Sequence, residues 1–238
     1  KAGGIGFNPF SEAIQKRCGV ETFNQFQGAQ MIADKYGFTR DDHDRFALAS
    51  HQKAAAATDE GAFNSEIVPV PIVTTEGEQG IHDRDEGVRA DASLESIGSV
   101  KLLSEGGTLS AAAASQICDG ASGVLVASEA AVRAHGLTPI ARIVNLAVTA
   151  GDPVIMLEEP IPATRRVLER AGMTMKDIAL FEVNEAFASI PLAWMKALDA
   201  DPARLNVNGG AIALGHPLGA TGTKLMATLI HALKARGQ

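Results

Sequence analysis

With 238 residues, 46% of them hydrophobic, the chain is long enough for one substantial core or two modest ones, which excludes a small disulfide-stapled scaffold. Its 28 acidic against 21 basic side chains give a formal charge of −7 with no basic stripe, which excludes nucleic acid as the main partner. Cys18 and Cys118 stand in no CxxC spacing, so neither a disulfide framework nor a zinc ribbon is indicated, and a reducing, cytoplasmic setting is the simpler expectation.

Lys1-Ala-Gly-Gly-Ile-Gly-Phe-Asn-Pro lacks the apolar core of a signal peptide, and no stretch reaches membrane-spanning length, so a soluble chain is expected. Glu21 to Tyr36 reads as a helix, with Phe26, Ala29, Ala33 and Tyr36 on one face and Gly37 as its stop. Thr39-Arg-Asp-Asp42 has the form of a capping box, and the helix it opens runs through Ala57 to just before Gly61. These two helices are expected to form an antiparallel hairpin. Glu66 to Val73 is β-like, but Pro69 and Pro71 confine it to an edge, and Thr74 to Gly87 reads as an exposed polar excursion.

The pattern changes after Ala121. Gly123-Val-Leu-Val126 reads as a short buried strand, and Ser128 caps a helix that stops at Gly136. Pro139 to Val148 follows as a strand, Ala163 to Ala171 as a helix stopped by Gly172, and Ile178 to Val183 as a strand. Glu185 to Leu198 reads as a helix, Leu205 to Asn208 as a strand, and Gly219 to Ala235 as a final helix. Such alternation predicts an α/β fold, a parallel sheet with helices on its faces.

Ligands bind such a sheet at the carboxyl ends of its strands, and two strand-to-helix turns there carry chemically informative residues. In Val183-Asn184-Glu185-Ala186-Phe187, Asn184 sits at the expected N-cap, and taken alone it reads as a cap. The second turn, Asn206 to Gly222, holds five glycines and His216 between a Gly and Pro217. A position just before a helix, near the positive end of its dipole, would lower the imidazole pKa and favour a neutral base. A phosphate loop and a structural histidine are the competing readings, but no Lys-Ser/Thr follows the final Gly and no dinucleotide fingerprint directly follows a strand.

Asn184-Glu-Ala-Phe-Ala188, Asn208-Gly-Gly and Gly215-His-Pro-Leu-Gly-Ala-Thr-Gly222 are similar, in content, order and spacing, to the paired signature of thiolases. The resemblance runs back through Asp119-Gly120-Ala121, Thr108 to Ser115 and Asp85-Glu-Gly-Val-Arg89 to about Phe23. It implies a thiolase-like layered fold, a parallel-rich mixed sheet with helices on both faces, incomplete and joined to an α-rich cap/loop region. The implied division is residues 1–116 as cap/loop region, 117–137 as the end of the amino-terminal domain, and 138–238 as the carboxyl-terminal domain lacking its last strands.

The resemblance also implies roles. His216 would deprotonate a nucleophilic cysteine and, with a water held by Asn184, stabilise the thioester oxyanion. Phe187 would wall the acyl or pantetheine channel, Ser115 would contact the pantetheine arm, and Gly210 belongs to the same substrate-binding set. Arg89, and more weakly Ser96, would meet the nucleotide end of coenzyme A. A coenzyme A thioester is the expected substrate, with no permanently bound cofactor, no metal, no membrane, and a homo-dimer or homo-tetramer as the assembly. The family's two cysteines fall outside this sequence, so the chain is expected to be a fragment; a non-catalytic coenzyme-A-binding or dimerisation scaffold and one half of a split enzyme are the other readings. Ketoacyl synthases share the architecture but match less well at Asn184-Glu-Ala-Phe187. Cys118 reads as a small buried hydrophobe, Cys18 as incidental, and His43 and His51 as members of a solvent-exposed acidic helix face and not as metal ligands.

Overall fold

The computed structural model describes residues 10–238; the stretch read above for a signal peptide lies outside them. Helix α1 is Glu12–Cys18, capped by Ser11. Helix α2 is Gln25–Tyr36, four residues shorter at its start than expected because Asn24, accepting from Phe26 N at 2.9 Å, is the residue that caps it. Helix α3 is Arg40–Asp59, and the capping box is present as read: Asp42 N donates to Thr39 Oγ1 at 3.2 Å and Thr39 N to Asp42 Oδ2 at 2.7 Å. A hairpin follows, β1 Val70–Val73 paired antiparallel with β2 Gln79–His82, so the polar excursion supplies a strand of its own. Next come α4 Leu94–Gly98, α5 Glu129–His135 capped by Ser128, α6 Pro160–Ala171, α7 Ser189–Leu198, α8 Ala211–Leu214 and α9 Thr221–Ala235.

Helices α2 and α3 do not form the expected hairpin: α2 packs on α7 and α3 on α8. The reason lies in their faces. Ala29 and Ile32 of α2 are fully buried and share a core with Ile190, Ala193 and Trp194 of α7, while Ala54 and Ala57 of α3 pack with Ala213 and Leu214 of α8. Ser189 Oγ donates to Ala29 O at 2.9 Å and fixes the first of these contacts. The expected exposed acidic face is corrected too. His43, Asp44 and His51 are buried, Asp44 pairs with Arg40 at 2.7 Å, and the Arg40 guanidinium goes on to donate to the carbonyls of Ile97, Gly98 and Val100. Burial pushes the His43 imidazole below its ordinary pKa, with Nδ1 against Thr108 O at 3.1 Å.

The strands expected after Ala121 are where structure and sequence differ most. Residues 123–126 and 139–148 form no strand among the described residues, and they leave Leu125, Ile140, Val144, Leu146 and Val148 exposed. Side chains of α6 satisfy part of that backbone, Arg166 donating to Val148 O and Arg170 to Leu146 O. The stretches 178–183 and 205–208 meet in one parallel bridge, Phe181 with Leu205, through Phe181 N to Arg204 O and Asn206 N to Phe181 O, each 2.9 Å. The ladder stops there because Asn206 takes a left-handed conformation (φ 44°), which no strand residue adopts. Its amide continues the pairing instead, with Oδ1 accepting from Val183 N and Nδ2 donating to Val183 O, both at 2.9 Å.

Beneath that bridge lies a fully buried carboxylate. Glu185 accepts from Ser50 Oγ of α3 at 2.6 Å, from Asn206 Nδ2 at 2.9 Å and from Ile212 N of α8 at 3.1 Å. Gly210 is packed so closely that a Cβ there would fall on the Glu185 carboxylate, while its own N–H donates to Ser50 Oγ at 3.1 Å. Replacing Gly210 with Ala is therefore expected to destabilise the fold by about 1–3 kcal/mol, the usual cost of forcing extra volume into a packed site. A lowered urea midpoint with an unchanged slope is the expected readout, and an unchanged midpoint would show that the carboxylate can move aside.

Candidate active site

Two loops meet above the Glu185 carboxylate. The first is residues 182–188. Its helix begins at Ser189, not at Glu185, so Asn184 is no helix cap and its side chain is free for other work. The second runs from Gly209 to Ala220. Gly209 has φ 81° and presses on α3, where a Cβ would stand 2.7 Å from Ser50 O and from the Ala54 methyl. The short helix α8 follows, and the chain then turns at Gly215 (φ 82°) to present His216.

These loops bring Asn184 Nδ2 to 3.4 Å from His216 Nε2. The opposite ring nitrogen, Nδ1, lies 2.6 Å from Thr221 Oγ1. Contrary to expectation, His216 does not directly precede a helix: residues 217–220 form a turn closed by Ala220 N to Pro217 O at 2.8 Å, and α9 starts at Thr221. The pKa of His216 is lowered as expected, but burial is the main cause and the nearby Lys224 ammonium the second. A half-buried imidazole held neutral, with a side-chain amide on one face, is equipped to take a proton from a thiol and to meet a developing oxyanion.

Gln116 is the clamp that sequence reading missed. Its carbonyl accepts from His216 N at 3.0 Å, and its amide donates to Gly87 O at 2.9 Å and Ile212 O at 2.8 Å, joining three segments behind the histidine. Ser115 is beside it, its N–H donating to Ala186 O at 3.0 Å, and Phe187 pairs with Ala114 while its ring meets that of Phe26 edge-on at 5.3 Å. Ser115 and Phe187 thus come together with the Asn184 loop, although Phe187 is buried in the core. Gly210 faces the Glu185 carboxylate. Arg89 is exposed and donates its backbone N–H to His51 Nδ1 at 3.2 Å; Ser96 is exposed and caps α4 with Ser93. Neither has an observed bond to the His216 group.

Cys118 is exposed, against the expectation of a buried hydrophobe, because residues 119–126 form no buried strand to cover it. Its sulfur lies against Gly215, where a Cβ would collide with it. Among the described residues no three His, Cys, Asp or Glu side chains are grouped to hold a metal ion, and no helix is long and apolar enough to cross a membrane.

A second ionisable group stands beside Asn184. An open, mostly apolar cavity of about 430 Å³ between α6 and α7 is lined by Glu182, Asn184, Met156, Ile190 and Trp194. Glu182 Oε1 and Asn184 Oδ1 are both sealed from solvent without a partner among the described residues. Burial, followed by the neighbouring Glu185 carboxylate, pushes Glu182 from the usual 4.5 up to about 8.

Residues 20–130 match the family profile described as the thiolase N-terminal domain, and residues 137–238 that of the thiolase C-terminal domain. A steroid 3-ketoacyl-CoA thiolase of Mycobacterium tuberculosis is 49% identical over 98% of this chain and 56% of its own length. The acetyl-CoA acetyltransferase of Escherichia coli is 43% identical over 92% of this chain and 56% of its own. The crystal structure of human mitochondrial 3-ketoacyl-CoA thiolase superimposes with a TM-score of 0.82 at 40% identity, over 89% of this chain and 53% of that one. The acetyl-CoA acetyltransferase of Bacillus anthracis gives 0.84 at 34% identity, over 98% and 60%. The chain spans a little over half the length of the curated relatives it matches.

The Glu182 carboxyl makes a testable contribution to stability. Its folded pKa is raised, so the stability it contributes is full below about pH 4.5 and is lost as pH rises through about 8. Glu182→Gln is expected to flatten the pH dependence of the unfolding midpoint across that window, and an unaltered profile would show that Glu182 ionises freely in the folded chain.

With both domain profiles matched in order along one polypeptide, and with solved thiolases sharing its α/β fold, the chain belongs to the thiolase family.

Proposed function

We propose that this chain supplies the base and oxyanion side of a thiolase-type acyltransferase, which cleaves a 3-ketoacyl-CoA with free coenzyme A or runs the reverse Claisen condensation. The 3.4 Å approach of Asn184 Nδ2 to His216 Nε2 carries the reading, because it joins the two family motifs at an amide donor and at a base that becomes a second donor to a thioester oxyanion once it has taken the thiol proton. Names printed for the relatives, steroid 3-ketoacyl-CoA thiolase and acetyl-CoA acetyltransferase, support a coenzyme A thioester as substrate. Ser115 and Phe187, beside the Asn184 loop, are assigned to the pantetheine and acyl channel, Arg89 and Ser96 to the nucleotide end, and Gly210 to the backbone turn supporting the channel.

The nucleophilic cysteine comes, on this reading, from outside these 238 residues. Cys18 ends α1 and Cys118 is exposed beside Gly215, and neither has an observed bond to His216. Residues 1–116 are assigned as a cap/loop region, 117–137 as the close of the amino-terminal domain and 138–238 as the carboxyl-terminal domain; the profile match that begins at 137 supports the last division. A homo-oligomer in the cytoplasm, without nucleic acid or membrane as partner, completes the proposal.

The purified chain is expected to cleave no acetoacetyl-CoA alone and to do so when the thiolase segments bearing both family cysteines are supplied. In that mixture His216→Ala is expected to lower kcat by about 10²- to 10⁴-fold and Asn184→Ala by about 10²- to 10³-fold. Turnover by the chain alone, or an acyl adduct on Cys118 by mass spectrometry, would refute an external nucleophile.

A further inference from the structure

We propose that Thr221 is the positioning residue that sets the tautomer of His216, keeping the ring proton on Nδ1 and leaving Nε2 as the basic nitrogen. The proposal rests on the functional reading only for its consequence; the tautomer is read from the hydrogen-bond partners of Thr221 Oγ1 and Asn184 Nδ2. A threonine hydroxyl has one proton to give, and a carbonyl oxygen has none. Thr221 Oγ1 lies 3.0 Å from Pro217 O and 2.6 Å from His216 Nδ1. With the hydroxyl donating to Pro217 O, which also accepts from Ala220 N and Thr221 N, the proton in the second, shorter bond is the one on Nδ1.

The other side of the ring agrees. Asn184 meets Nε2 with its amide nitrogen at 3.4 Å, a donor facing a lone pair, while Asn184 Oδ1 stays unpartnered among the described residues. Donor and acceptor assignments along the row are therefore mutually consistent: Asn184 Nδ2 to Nε2, Nδ1 to Thr221 Oγ1, Thr221 Oγ1 to Pro217 O. Thr221 is suited to this by position and by shape. It is only 5% exposed, it opens α9 with its own N–H on Pro217 O at 3.0 Å, and branching at Cβ restricts the hydroxyl to few rotamers. In general, the hydrogen bond made by one imidazole nitrogen decides which of the two carries the proton. An imidazole with its proton on Nε2 would present a donor to an incoming thiol and could not deprotonate it there.

The test reads the proton directly. In the full 238-residue chain labelled with ¹⁵N at histidine, long-range proton–nitrogen correlation spectra report the tautomer of each ring, with the His216 signals assigned by their loss in His216→Gln. The expected result is a pyrrole-type Nδ1 and a pyridine-type Nε2 for His216. Thr221→Val, which keeps the shape and removes the hydroxyl, is expected to shift the proton toward Nε2, and Thr221→Ser to restore the original pattern. A proton on Nε2 in the unaltered chain overturns the proposal, as does an unchanged pattern in folded Thr221→Val; if that variant does not fold, the unaltered chain and Thr221→Ser decide. No turnover is needed, so failure of the thiolase reading leaves this result intact. Where cleavage is measured with the segments bearing both family cysteines present, Thr221→Val is expected to lower kcat about 10²-fold at constant KM, with recovery in Thr221→Ser. A raised KM at constant kcat would overturn the positioning role.

Discussion

The arrangement of this molecule depends on one buried carboxylate. Glu185 has no access to water, and removing an acid from solvent costs stability unless donors replace the lost hydration. Those donors come from three places far apart in sequence: the Ser50 hydroxyl of α3, the Asn206 amide and the Ile212 backbone of α8. With these donors, satisfying Glu185 brings the 182–188 loop and the 209–220 loop together. Asn184 stands one residue before Glu185 and His216 four residues after Ile212, so their approach is a by-product of satisfying the acid beneath them.

The same dependence explains which parts were legible in advance. Local chemistry was readable: the Thr39 capping box, the Ser128 cap and the Gly172 stop each act within a few residues, and all stand where the sequence places them. Strands were not, because a strand is completed by its neighbour. Val144 and Leu146 have β character, yet nothing among the described residues pairs with them; Leu205-Asn-Val-Asn208 alternates well, yet its Asn206 needs a left-handed backbone to reach both Val183 and Glu185. Burial was the other blind spot. His43, Asp44 and His51 look like a wet helix face by composition, and only the α3–α8 and α3–α4 contacts reveal that they are covered.

Within the site, residue identity was easier to read than cause. His216 and Asn184 were visible as motif members, but a helix dipole was the expected reason for a neutral imidazole, and burial with Lys224 nearby is the observed one. The expectation failed because a Pro after His suggests a first helical turn, whereas four residues of turn precede α9. Gln116 went unremarked, and Thr221 was read only as one member of the motif, for a different reason. Each works through a hydrogen bond to His216, and neither belongs to a residue class that advertises chemistry.

Asn206 narrows what mutation can explore. Gly would accept its backbone angle but leave both Val183 groups and one oxygen of Glu185 without partners; Asp could accept from Val183 N but not donate to Val183 O or to the carboxylate; Ala would lack both the donors and the acceptor. Gln places the same amide one methylene farther out. Sequence drift is thus closed at this position by three simultaneous demands, none of them catalytic, and an evolving thiolase that altered its chemistry could do so at Asn184 or His216 long before it could let go of Asn206.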